Sequence, residues 1–134
     1  MSYNSPESYT VIFESYSERH FIKSFEKKYH SAWEITREAL QREFQSFDIL
    51  PLRSIAECIH ERDNVALYKT EFKVAGTKES RKTSGNRCIV AVHRIEKRVH
   101  VLLVYAKTDA KGARETDWWE AQIAAAYSQY RHLL

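Results

Sequence analysis

Two nearly continuous apolar runs, Arg87 to Ile95 and Arg98 to Ala106, stand back to back with only Glu96-Lys97 between them. A strand with one wet face alternates apolar and polar residues, whereas a run without alternation suits a strand buried on both faces. The pair therefore predicts a tight hairpin at the centre of an antiparallel sheet.

The rest of the chain supplies what such a hairpin needs. Val65 to Val74 alternates, with Ala66, Tyr68, Thr70, Phe72 and Val74 on one face and Lys69, Glu71 and Lys73 on the other, so it predicts a neighbouring strand whose apolar side faces the core. Ser8 to Glu14, rich in β-branched and aromatic residues, predicts an opening strand. Ser15 with Glu18 and Ser31 with Glu34 match the capping-box spacing. Behind the first lie Phe21, Ile22, Phe25 and Tyr29, and behind the second Trp33, Leu40, Phe44 and Phe47, at helical spacing. Leu52 to Asn64 fits a short helix or a strand equally well. A last helix, Glu115 to Leu134, carries Trp119, Ile123, Tyr127, Tyr130 and Leu134 on one stripe. An exposed stripe of that size would be a sizeable apolar patch, so Trp119 and Ile123 are expected to be buried on the sheet.

These elements form an α+β pattern: an N-terminal strand and two helices on an antiparallel sheet of about four strands, plus a C-terminal helix. With 134 residues, 43% hydrophobic, and only 3 Gly and 2 Pro, the composition fits a single domain over residues 1–134 and not a disordered or low-complexity chain. Cys58 and Cys88 have no CxxC or Cys/His ligand spacing and read as reduced thiols of a cytosolic protein. No apolar run approaches the ~18 residues of a membrane span. The first residues lack the basic and apolar regions of a signal peptide. A cytoplasmic protein with no membrane partner is the expectation.

The net charge of +3 does not identify a partner, so the placement of the charges matters. Gly76 to Gly85 is a polar, basic loop, expected to be mobile, that carries Lys78, Arg81 and Lys82. Arg87 opens the next strand and Lys107 closes the last, so Lys73, Arg87 and Lys107 can converge at one end of an antiparallel sheet. Such cations suit a phosphate backbone. On the residues alone they equally suit a charged edge that discourages aggregation. His93 and His100 sit in the apolar strands and read first as packed histidines. His93 shares a strand face with Arg87 by alternation and is the reserve acid or base. No histidine pair has the spacing of a helical zinc site, and neither a metal nor another cofactor is expected.

Leu67 to Val74, Ser84 to Val90 and Val101 to Asp109, taken with the element order, resemble the RelE/ParE toxin superfamily of bacterial type II toxin-antitoxin systems, in its RelE-like branch. The resemblance implies an mRNA endoribonuclease, an mRNA interferase, that acts on ribosome-bound transcripts to inhibit translation. In that reaction the RNA 2′-OH attacks the adjacent phosphate without a metal. It also implies a cognate antitoxin protein, with mRNA and the ribosome as further partners.

Arg87 falls at the family's phosphate-stabilising arginine, Lys69 at a strand lysine on the nucleophile side, and Lys107 at a second cationic position where many relatives have Arg. Glu71 stands where well-known relatives carry another lysine, and it could supply a base. Lys73, Lys78, Arg81 and Lys82 are the expected RNA contacts. The family's C-terminal tyrosine has no obvious counterpart; Trp118, Trp119 or Tyr127 could stack on a base, although core packing is their ordinary role. Arg87, opening a strand at the rim, is expected to be replaceable by Ala without loss of the fold. The same fold also admits a ParE-like, non-nucleolytic toxin acting on gyrase or another protein, or an inactive RNA-binding relative.

Overall fold

The computed structural model describes residues 8–134. Its centre is a five-stranded sheet in the order β1-β5-β4-β3-β2. The strands are β1 (Thr10–Phe13), β2 (Ala56–Arg62), β3 (Val65–Phe72), β4 (Asn86–His93) and β5 (Arg98–Ala106). The two apolar runs are β4 and β5, and every residue from Asn86 to Val92 is buried. The connection between them is longer than two residues: Arg94 to Lys97 form the turn, Lys97 takes φ 56°, and Ile95 is left exposed.

The sheet has one strand more than expected and is mixed, since β1 pairs in parallel with β5 while the other pairs are antiparallel. The additional strand, β2, resolves the segment that was open between helix and strand. It is an edge strand with a register shift between Cys58 and His60, and the shift breaks the alternation that would have marked it.

Because β4 and β5 are apolar on both sides, each face needs a cover. One face packs on α2 (Lys23–Tyr29) and α3 (Ser31–Gln45): Phe25, Trp33, Leu40 and Phe44 meet Ala66, Tyr68, Phe72, Val90 and Val104. The other packs on α4 (Glu115–Ala126) and the 3-10 segment Ser128–Leu133, where Trp119, Ile123, Tyr127, Tyr130 and Leu133 meet Leu67, Ile89, Leu103 and Tyr105. Trp119 and Ile123 are buried as expected. The last helix ends at Ala126, however, where Tyr127 leaves the helical region at φ −132° and ψ 76°. The tighter winding that follows turns Leu133 inward and leaves Leu134 exposed.

Helical structure does start at Ser15 and Ser31, in α1 (Ser15–Ser17) and α3, but neither serine is the cap. Glu14 and His30 hold the N-cap positions, and neither makes a side-chain cap hydrogen bond. Glu14 is still tied to the sheet, its N–H donating to Val101 O at 3.1 Å, and the helix begins one residue earlier than the capping-box reading places it. Among the described residues no helix is long and apolar enough to cross a membrane.

Candidate functional site

β3 and β4 are in register with Lys69 opposite Ile89 and Glu71 opposite Arg87, while β5 sets Tyr105 opposite Arg87. Side chains two apart share a face, so Lys69, Glu71, Arg87 and Tyr105 project on the α4 side at one end of the sheet. There α4 begins, and its first residue, Glu115, comes down onto them.

Arg87 is the centre of this cluster. Its residue exposure is 6%, its Nη2 lies 3.2 Å from Glu71 Oε2, and its Nε lies 3.7 Å from Glu115 Oε2. Nη1 donates to the Asn86 carbonyl at 3.1 Å. The same Glu115 oxygen is 3.8 Å from Lys69 Nζ and accepts a hydrogen bond from Tyr105 Oη at 2.7 Å. Burial, reinforced by the Glu115 carboxylate, pushes the Tyr105 hydroxyl far above the ordinary phenol range, so it remains a protonated donor at neutral pH. Arg87 is therefore not a rim residue with little fold value. Replacing it by Ala would leave Glu71 without its cation and Glu115 with Lys69 alone, so the substitution carries a cost to the fold that the rim reading does not foresee.

Beside the cluster lies a cleft of about 270 Å³ lined by Ser54, Ile55, Glu57, Lys69, Glu71 and Lys82. Lys69 and Glu71 thus face both Arg87 and open solvent, and Lys82 brings a cation from the loop. The chain reaches β4 through Gly85, at φ +77°, a backbone conformation that favours glycine. Its carbonyl accepts from Lys107 N–H at 2.7 Å, which pins the exposed Lys107 beside the start of β4.

The remaining expected residues do not join the cluster. Arg81 is anchored elsewhere: Nη1 donates to Glu71 O at 2.7 Å and Nη2 pairs with Glu43. The loop is bonded across its width as well, since Ser84 Oγ lies 2.5 Å from Phe72 O and 2.8 Å from Arg81 O. Its expected mobility is thus countered by a set of internal hydrogen bonds. Lys73, with Nζ 3.3 Å from Thr77 O, joins Arg81 in lining a separate groove against α3. Lys78 is exposed on the loop. His93 is six residues along β4 from Arg87, about 20 Å at strand spacing, and so lies at the opposite end of the sheet.

At that far end His93 Nε2 shares a 2.8 Å hydrogen bond with Tyr130 Oη, and its ring lies 5.0 Å from that of His100. His100 Nδ1 is 2.6 Å from Glu14 Oε2. Burial and the neighbouring charges of His100 and Arg98 lower the His93 pKa, against the pull of Glu96. The packed-histidine reading describes this arrangement. Trp118 and Trp119 likewise pack in the core, the Trp118 ring 5.0 Å from that of Tyr105. Among the described residues no group of three or more His, Cys, Asp or Glu side chains is placed to hold a metal, and both cysteines are free thiols.

Two residues of the site escaped sequence reasoning. Glu115 reads as an ordinary first-turn acid that favours a helix N-terminus, and nothing local signals that α4 would deliver it to Arg87. Tyr105 sits inside an apolar run, where a tyrosine reads as core.

No family model matches this chain, and no curated protein matches it. Among solved structures it is similar to the crystal structure of the archaeal RelE-RelB complex from Pyrococcus horikoshii OT3. The TM-score is 0.50 at 13% sequence identity, over 75% of this chain and 96% of that one. The fold is RelE-like.

Proposed function

We propose that this chain is the toxin of a type II toxin-antitoxin pair and cuts mRNA, on ribosome-bound transcripts, by directing the RNA 2′-OH onto the adjacent phosphate. The observation that carries the reading is Arg87. It is a nearly buried guanidinium at the end of a RelE-like sheet, flanked by Lys69 and a carboxylate, beside a polar cleft.

The reaction needs a base for the hydroxyl, cations for the charge that builds on the phosphorane oxygens, and an acid for the 5′-oxygen. Glu71, open to the cleft and 3.2 Å from Arg87, is the base in this proposal, and the proton it takes from the 2′-OH passes to the 5′-oxygen as the bond from phosphorus to that oxygen breaks. Arg87 holds the phosphorane charge, with Lys69 and Lys107 as further cations. Tyr105, kept protonated, is a donor to the same charge. Lys82 lines the path of the RNA backbone. The archaeal RelE of similar fold is found in a complex with RelB. By analogy this toxin is held inactive by a protein antitoxin, and both work in the bacterial cytoplasm.

Induction of the protein in bacteria tests the reading. Translation arrest with transcripts cut inside reading frames supports it. Continued translation with damaged DNA would instead favour the ParE-like alternative, and growth without either effect an inactive relative.

A further inference from the structure

Glu115 has no role in the reaction above, yet three donors converge on its Oε2: Tyr105 Oη at 2.7 Å, Arg87 Nε at 3.7 Å and Lys69 Nζ at 3.8 Å. The tyrosine alone among them makes a hydrogen bond. Arg87 Nε is buried and lacks an acceptor, although the residue is more than nine-tenths buried. A buried N–H of a cation without an acceptor is costly. At 3.7 Å the Glu115 carboxylate balances the charge but does not satisfy the donor. The donors are therefore set for an oxyanion that sits closer to Arg87 than this side chain does.

Glu115 lies ahead of the residues that anchor α4, of which the first, Trp118, packs on Tyr105 three residues on. Glu115 itself is the first residue of α4, and the N-cap Arg114 makes no side-chain cap bond to the helix. Before it the chain turns through Lys111 at φ 51° and Gly112 at φ 86°. The buried α4 anchors, Trp119 and Ile123, begin a full turn later. With Glu71 and Glu115 both present, the charges of Lys69 and Arg87 are cancelled, so the cluster attracts a further anion only when one carboxylate leaves.

We propose that Glu115 is the resident occupant of an anion subsite, built by Arg87, Lys69 and Tyr105, whose ligand is a single phosphodiester group of RNA. That phosphate must displace the carboxylate to bind. The proposal rests on the reading of the chain as RNA-directed. It makes the free protein a weak binder of its own substrate, since affinity is reduced by the fraction of molecules in which Glu115 is still seated.

The test uses the full chain and a short RNA in which every 2′-OH is methylated, so that binding is measured without cleavage. Glu115→Gln removes the charge and keeps the shape. It is expected to bind this RNA roughly tenfold tighter than the parent at fixed salt, and the gain should vanish when Arg87→Gln is added. Glu115→Asp keeps a carboxylate and should remain weak. Should Glu115→Gln melt early, Glu115→Ser gives the same comparison. Affinity unchanged or lower in both uncharged variants overturns the subsite. If the parent cuts unmodified RNA while Glu115→Gln gains no affinity, the nuclease reading stands and the subsite falls. If Glu115→Gln gains affinity and neither protein cuts RNA, the subsite stands and the nuclease reading falls.

Discussion

Glu71 and Arg87 are register partners across β3 and β4, and their side chains meet at 3.2 Å on the sheet face that α4 covers. A carboxylate so placed lies beside the guanidinium proposed to hold the phosphate, within the span of one nucleotide. Two functions are open to it, base or counter-ion, and they respond differently to loss of charge.

If Glu71 is the base, Glu71→Gln lowers the RNA cleavage rate by about 10²- to 10⁴-fold. The fold should survive, because the side chain is 34% exposed and Gln can still accept from Arg87. Single-turnover kinetics on a synthetic transcript check this. A rate within a few-fold of the parent would leave Glu71 as a counter-ion.

Arg87→Ala should lose cleavage and also lower stability by roughly 1–3 kcal/mol, because Glu71 loses its cation, Glu115 keeps only Lys69 as counter-charge, and the Asn86 carbonyl loses a donor. Urea unfolding measures the second effect. Arg87→Lys restores the charge but not the planar fork, so it should recover more stability than activity. Unfolding curves for Arg87→Ala that superimpose on the parent's would contradict the buried ion cluster.

The three loop cations should separate. Lys78→Ser with Lys82→Ser should flatten the salt dependence of RNA binding by up to about one unit of slope per lost phosphate contact, with little change in melting temperature. Arg81→Ser should act through the fold instead, since its guanidinium ties the loop to Glu71 O and Glu43. Equal salt slopes for the double variant and the parent would make the loop a solvated turn.

The His93 cluster predicts a pH dependence of stability with a definite sign. The folded-state pKa of His93 is lowered by burial and by His100 and Arg98, so the folded chain binds this proton less readily than the unfolded chain does. The stability contributed is present above the unfolded value of about 6.5 and is lost as pH falls through the folded value. Chemical unfolding from pH 8 to about 5 should show a drop that His93→Gln flattens. A parent curve already flat over that range would contradict the assignment.

Much of the fold was legible because two periodicities carried it. The unbroken apolar runs placed β4 and β5 at the centre, and the alternation of β3 set Lys69 and Glu71 on the face that Arg87 shares. β2 was not legible: a bulge between Cys58 and His60 shifts its alternation, and the edge position leaves Glu57, Cys58, Glu61 and Arg62 exposed. The Ser15 cap misled by one residue, because the Glu14 N–H is committed to Val101 O and its side chain to His100. His93 misled for a different reason. Alternation fixes a face but not a distance, and six residues of strand separate it from Arg87. Glu115 was the largest omission, since its placement depends on how α4 docks through Trp119 and Ile123 rather than on its own neighbours in the chain.

The most direct measurement of the central claim is the chemistry of the RNA ends. Purified protein is incubated with ribosomes halted on a defined mRNA, and the fragment termini are identified. Attack by the 2′-OH predicts 2′,3′-cyclic phosphate on the upstream fragment and 5′-hydroxyl on the downstream one, both absent with Arg87→Ala and reduced with Arg87→Lys. Intact transcripts with the parent protein, or fragments that end in 3′-hydroxyl and 5′-phosphate, would contradict it.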